Sequence, residues 1–194
     1  MARLTSRIHE VIVTTLDEGG RPHSAPMGIS EVNGYFHIKP FKPSSTYDNL
    51  KRHPQCTINY IDDVRVFAGA LTGRRDWPTL PCKQIKGEYL EQALSHSELE
   101  IKRVDDDDPR ACFYGQVVKE LSHGPFRGFN RAQSAVIEAA ILVSRIGMLS
   151  EQKIREELAY LRIGIEKTAG ERELEAWGWL MEKIEQAGIH IEHD

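Results

Sequence analysis

A change of hydrophobic period near Gly124 divides this chain into two parts that cannot be built from the same element. Upstream, apolar residues fall in short β-branched runs. Glu10 to Thr15 reads Glu-Val-Ile-Val-Thr-Thr, and Gln55 to Ile61 alternates Cys56, Ile58 and Tyr60 on one side, the period of a strand. Asp17 to Pro22 punctuates the first run as a turn. His23 to Glu31 is a second strand, interrupted by Pro26 and Gly28, and a mid-strand proline implies an edge or a bulge. Asn33-Gly34 is the strongest hairpin signal in the chain, leading into a third strand, Tyr35 to Lys39. Val64 to Leu71 reads as either a buried strand or a short helix. Gly87 to Val104 and Cys112 to Leu121 flank an Asp105–Pro109 hairpin loop.

Downstream, apolar residues recur every three or four positions. Arg131 to Ile146 is apolar nearly all round, which predicts a buried helix, with Asn130 as its cap and Gln133 three residues on. Ser150 caps a second helix carrying Ile154, Leu158, Leu161 and Ile165 on one stripe, which Gly170 stops. A third carries Leu174, Trp177, Leu180, Met181 and Ile184 and ends at Gly188. The expected fold class is therefore α+β, mainly β: a small barrel over residues 1–122 followed by a three-helix subdomain over 123–194.

Composition narrows the function. A formal net charge of -4 argues against a general nucleic-acid or anionic-membrane binder. The longest apolar stretch, near Val136 to Val143, is too short to span a bilayer, and the start Met1-Ala2-Arg3-Leu4-Thr5-Ser6-Arg7 is too polar for a secretory signal. Three cysteines, Cys56, Cys82 and Cys112, are odd in number and form no CxxC pair. Neither a disulfide framework nor a zinc knot is expected, and reduced thiols in a cytoplasm are. No metal site is expected. The sequence has no Ser-His-Asp arrangement, phosphate-loop glycine signature or dinucleotide fingerprint, so no catalytic residue is assigned.

Two stretches offer chemistry. Lys42, Ser44, Ser45 and Thr46 precede a short helix, Tyr47 to His53; a charge, three hydroxyls and free helix N–H groups make an anion cradle suited to a phosphate monoester. Taken alone, the same hydroxyls are ordinary helix caps. The proline-broken strand at Ala25-Pro26-Met27-Gly28 can face a flat heterocycle, with Met27 packed on a ring; taken alone, it is an edge strand with a core methionine.

Together these residues carry a resemblance. A strand ending in Thr14-Thr15, then Gly20-Arg21-Pro22 and Pro26-Met27, then a hydroxyl-rich loop before Asn49-Leu50, resembles the flavin mononucleotide (FMN)-binding split barrel shared by flavin reductases and pyridoxamine-phosphate oxidases. More narrowly, Asn59-Tyr60-Ile61-Asp62-Asp63-Val64, Phe129-Asn130-Arg131-Ala132 and Val136-Ile137-Glu138-Ala139 extend the likeness over the whole chain to the domain of unknown function 447 family. That resemblance implies FMN as cofactor, a homodimer with helices packed across the barrel, a small-molecule electron donor or acceptor as partner, and a weak tie to methanopterin-type one-carbon metabolism. By position, it implies that Thr14, Thr15, Pro26, Met27 and Gly28 line the flavin ring. Lys42, Ser44, Ser45, Thr46 and Asn49 would hold the ribityl phosphate. The corner lacks the arginine that would bind phosphate bidentately, so Arg74, Arg127 and Arg131 are candidates for a second basic group. Arg131 is favoured because it opens a helix read as buried, with Glu138 or the phosphate as its partner. The implied activity is that of a flavin-dependent oxidoreductase; the alternative is a flavin-holding or flavin-sensing module without turnover, and a haem or pterin in the same cleft is a third reading.

Other features read blandly. Asp105 to Asp108 is expected to be a solvated, self-repelling turn rather than a metal site. His190 and His193 are expected in a solvated tail, the tryptophans in core or interface, and Cys56 and Cys112 as small core hydrophobes. His123 to Arg131 is either a linker or a loop that closes over the flavin.

Overall fold

The computed structural model describes residues 7–191. The polar start up to Ser6 and His193 lie outside the described residues. The elements run β1 (Ile8–Leu16), β2 (Pro22–Val32), β3 (Tyr35–Ile38), α1 (Ser45–Arg52), β4 (Gln55–Tyr60), α2 (Arg65–Thr72), β5 (Thr79–Pro81), β6 (Glu88–Leu90), β7 (Ser95–Asp105), β8 (Cys112–Ser122), α3 (Arg131–Ser144), α4 (Glu151–Thr168) and α5 (Glu171–Gln186). They form two compact units. Among the described residues, one comprises 7–61 and 77–125; the other comprises 62–76 and 126–191. The division therefore differs from a single cut after residue 122: the segment that read as strand or helix is helix α2, and it belongs with the C-terminal helices. Among the described residues four helices, not three, make that unit.

The first unit is a closed six-stranded antiparallel barrel in the order β1-β2-β3-β8-β7-β4, with β5 and β6 as a separate two-stranded sheet. The Asn33-Gly34 turn works as its sequence implies. Val32 pairs with Tyr35, and both turn residues have positive φ (53° and 78°), the geometry of the tight hairpin whose twist matches its strands. The core consists of side chains such as Val13, Ile29, Ile38, Ile58, Leu99 and Phe113, all at most 1% exposed. Burying each contributes about 1.5–3 kcal/mol relative to leaving it in water. Gly115 on β8 is required by packing: a Cβ there would lie 2.6 Å from Leu99 Cδ2.

The barrel closes through β2 by only a short ladder on one side. That strand pairs with β1 along its length, from Ile8↔Ser30 to Leu16↔Pro22, but with β3 only at Ser30, Glu31 and Val32. Among the described residues, the other edge of residues 22–29 has no strand partner. Pro26, which has no N–H to give a ladder, sits in that stretch.

The helical unit has its own core, including Val64, Ala68, Val136, Ile154, Leu180 and Ile184. Asn130 caps α3 by accepting from the N–H groups of Ala132 and Gln133, and Ser150 caps α4. The Gln133 side chain does not close a capping box. Its amide donates instead to the Asp62 carbonyl at 2.9 Å. The last residue of α4 is Thr168 and its C-cap is Ala169, so Gly170 follows that cap and is itself the N-cap position of α5. No helix among the described residues is long and apolar enough to cross a membrane.

Candidate functional site

The corner between β3 and α1 carries the hydroxyl cluster. Ser44 is the cap of α1: its Oγ accepts from Tyr47 N at 3.3 Å. The capping reading is therefore correct for Ser44. The N–H groups of Ser45 and Thr46 open the helix and have no intrahelical acceptor, as the first turn of any helix leaves them. Ser45 is exposed, whereas Thr46 and Asn49 are buried.

Lys42, expected to supply the charge that holds a phosphate, is already paired with carboxylates. Its Nζ lies 2.9 Å from Asp106 Oδ1 and 2.9 Å from Asp108 Oδ1, and it donates to the Asp106 carbonyl at 3.2 Å. These carboxylates raise the lysine's pKa and hold it firmly charged. Asp106 also accepts from Lys51 Nζ at 3.0 Å and from the Tyr47 hydroxyl. Lys42, then Lys51, pulls its pKa from 3.8 to about 2. The aspartate run is thus not a self-repelling turn. Asp106 and Asp108 neutralise the basic side of the corner, and Asp105 takes Arg103 at 3.0 Å and the Tyr114 hydroxyl at 2.6 Å.

Two buried polar clusters flank β1, one on each face. Thr14 and Thr15 are each 2% exposed. Asn59 Nδ2 donates to Thr14 Oγ1 and to the Ile12 carbonyl, both at 3.0 Å, while its Oδ1 accepts from Leu90 N at 2.8 Å. Thr14 Oγ1 also meets Ser24 Oγ at 2.8 Å. Asn49 Nδ2 donates to Thr15 Oγ1 at 2.9 Å, and Arg52 donates to Asn49 Oδ1 and the Leu16 carbonyl. Arg52 was not singled out from the sequence. Its signal was its position three residues after Asn49 on the same helix face.

On the open strand, Pro26 and Met27 are half-buried and Gly28 is exposed. Met27 packs on the barrel core, as its bland reading held. Gly28 leaves room for its neighbours: a Cβ there would lie 3.0 Å from Ile8 Cγ2 and 3.3 Å from Glu10 Oε1.

The structure thus buries Thr14, Thr15, Thr46 and Asn49, Thr14 on the face of β1 that meets Asn59 and Thr15 on the other face beside Asn49 of α1, with Lys42, Ser44 and Ser45 at the corner and Pro26–Gly28 on the open strand. Arg131 belongs to the helical unit. It is exposed rather than buried, and no ion pair to it or to Glu138 is found among the described residues. Of the other basic candidates, Arg74 stacks on Trp179 at 4.5 Å and meets Glu182 at 3.6 Å, and Arg127 is exposed; both lie in the helical unit.

The sequence reading missed a second cluster. Cys82, His96 and Glu98 place one donor atom each within 4.8 Å of the others. His96 and Glu98 are i and i+2 on β7, so they share a face; that spacing was the available signal. Glu98 is fully buried and accepts from the N–H groups of Lys83 (2.8 Å), Gln84 (2.7 Å) and Ile85 (3.2 Å). Burial pushes its pKa up, but these donors together bring it below the usual carboxylate value. Burial lowers the His96 pKa, and burial followed by the Glu98 and Glu88 charges pushes the Cys82 thiol up to about 12.

Comparison with known proteins places this geometry. A family model described as the N-terminal domain of a protein of unknown function (DUF447) matches residues 9–124, and its DUF447 C-terminal counterpart matches residues 130–182. An uncharacterized protein of Methanocaldococcus jannaschii is 26% identical over 149 residues, covering 72% of this chain and 74% of that one. An FMN-bound DUF447 protein of Methanosarcina mazei superposes with a TM-score of 0.79 at 20% identity, covering 93% of this chain and 96% of the other. The 2-nitrobenzoate 2-nitroreductase of Pseudomonas fluorescens (TM-score 0.52, 18% identity, 62% and 67% coverage) resembles it over a shorter span. So does the flavin reductase component of a bacterial two-component tryptophan halogenase (TM-score 0.51, 16% identity, 62% and 84% coverage). The split barrel and C-terminal helices expected from the sequence are the fold found, and with both family models matched over most of its length this chain belongs to the DUF447 family.

Proposed function

We propose that this protein binds FMN as a homodimer and serves as a flavin-dependent oxidoreductase for a small molecule. The observation that carries this reading is the superposition, helices included, on a protein that holds FMN. The chain's own surface fits that ligand in part. The unpaired edge of residues 22–29 leaves backbone groups and the half-buried Pro26 and Met27 available to a flat ring. The N–H groups of Ser45 and Thr46 and the Ser45 hydroxyl suit a phosphomonoester at the start of α1. Lys42 fits less well, because two carboxylates already balance its charge. It would lend the phosphate only the share of its donors that Asp106 and Asp108 give up.

A bound flavin supplies the electron chemistry; the protein's part is binding, orientation and local charge. Thr14 and Thr15 act here as structure: with their hydroxyls engaged by Asn59, Ser24 and Asn49, they hold β1 in place behind the open strand. Asn49, clamped by Arg52 and Thr15, fixes the helix whose first turn meets the phosphate.

Ser45→Asp tests the assignment without endangering the fold, since an acidic residue favours a helix N-terminus while repelling phosphate. FMN binding should weaken by at least about tenfold, and binding of riboflavin, which lacks the phosphate, should change little. Equal loss of both ligands, or of neither, removes the phosphate from this corner. Light scattering of the FMN-loaded protein should report a dimer mass. Reduction of the bound flavin by NADH, NADPH or a reduced deazaflavin, faster than that of free FMN, separates an enzyme from a flavin-holding module.

A further inference from the structure

We infer that Cys82, His96 and Glu98 bind one zinc ion in the barrel unit, independently of the flavin corner. The cluster mixes thiol, imidazole and carboxylate, the donor set zinc accepts. His96 Nε2 and Glu98 Oε1 already stand 3.4 Å apart. With metal–ligand bonds of about 2.1 Å at tetrahedral angles, two such ligands would be about 3.4 Å apart. The three donor atoms lie within 4.8 Å of one another, so the sulfur needs to close by no more than about 1 Å to reach its place near 3.6 Å from the others.

Charge points the same way. Glu98 is 0% exposed, and no lysine or arginine side chain pairs with it among the described residues. A buried carboxylate is ordinarily compensated by a cation or a metal. Here three backbone N–H groups and a long 3.4 Å contact from the His96 imidazole steady it without supplying a fixed positive charge. The same bonds fold residues 83–85 around the carboxylate, and Cys82 N donates to the Gly87 carbonyl at 2.9 Å, which brings the thiol to the site.

The surroundings orient the imidazole as a ligand. His96 Nδ1 lies 2.8 Å from His123 Nε2, so when a metal takes the place of the Nε2–H contact to Glu98 (3.4 Å), the ring proton can sit on Nδ1, donated to His123, and leave Nε2 bare as a ligand. Tyr89 stacks on both rings, at 3.9 Å from His96 and 5.0 Å from His123. An outer partner that fixes tautomer and ring orientation is what zinc-bound histidines commonly have. Cys82 is half-buried and His123 is exposed, so the cluster is not sealed from solvent. When zinc binds, a sulfur–zinc bond forms and the thiol proton leaves to solvent. Three protein ligands leave a fourth position for water.

The test uses the full-length protein, stripped with chelator and titrated with Zn²⁺, and with Co²⁺ as an optical probe, with and without FMN. The expected result is one metal per chain with a cobalt–thiolate charge-transfer band, unchanged by FMN. Cys82→Ser should abolish the band and weaken zinc by at least about tenfold, as should Cys82→Ala if the serine variant does not fold; Cys112→Ser should leave both intact. His123→Gln should weaken zinc about tenfold while keeping the band. Failure to retain zinc, a cobalt complex without the thiolate band, or a band that survives loss of the Cys82 sulfur overturns the inference. None of these outcomes bears on the flavin reading, which the Ser45→Asp comparison decides.

Discussion

Glu98 and Asp106 are two carboxylates of one barrel unit, both held ionised, by opposite means. Glu98 is wholly buried and relies on backbone N–H groups fixed by a folded loop. Asp106 is exposed and relies on the flexible lysines 42 and 51 and on the Tyr47 hydroxyl. Interior dipoles cannot move away or be screened by salt; surface lysines can do both. The first arrangement should therefore govern stability, and the second should be available for exchange with a ligand.

Glu98→Ala is the sharpest way to break the contrast. It strands three backbone donors that the loop has turned inward, and each unsatisfied buried donor costs roughly 1–3 kcal/mol. Allowing for relaxation of an exposed loop, urea unfolding in the presence of chelator should show a loss of about 3 kcal/mol. A loss no larger than that of a surface substitution would mean that water replaces the carboxylate and that the interior is less closed than its exposure indicates.

Asn59→Ala comes next. Asn59 is 0% exposed, and its amide ties the Ile12 carbonyl and Thr14 on β1 to Leu90 N on β6. Its removal leaves the Leu90 N–H and the Ile12 carbonyl short of a partner, for an expected loss of about 2 kcal/mol by the same measurement. Both losses should be nearly unchanged in high salt.

How these clusters relate to the sequence follows the range of the forces involved. The strand periods, the Asn33-Gly34 hairpin and the Ser44, Asn130 and Ser150 caps depend on neighbours a few residues away, and each was legible. The pairing of Lys42 with Asp106 and Asp108 joins segments more than sixty residues apart, so the lysine read as a phosphate ligand without these partners and the aspartates as self-repelling. Arg131 read as buried because its helix is apolar, yet it occupies the exposed face of the first turn. In the Cys82–His96–Glu98 cluster only the His96 and Glu98 spacing was legible, since Cys82 joins it through the folded 82–87 loop. Helix α2 was ambiguous because a short apolar run fits either period.

Asp106→Asn should have the smallest effect on stability and the most informative one on binding. The folded-state pKa of Asp106 lies below its ordinary 3.8, at about 2, because Lys42 and Lys51 favour the charged form. The pairing therefore stabilises the fold above pH 3.8 and is lost as pH falls from there through about 2. The difference in urea midpoint between wild type and Asp106→Asn should be present at neutral pH, shrink through that window and fade as salt is raised. The substitution also releases one of the two carboxylates on Lys42. If the ammonium then turns to the phosphate at the start of α1, FMN affinity rises while riboflavin affinity stays where it was, and the gain disappears in Asp106→Asn/Lys42→Met. A fall in FMN affinity would show instead that Asp106 holds the corner in its binding shape, and that the exposed carboxylate is as structural as the buried one.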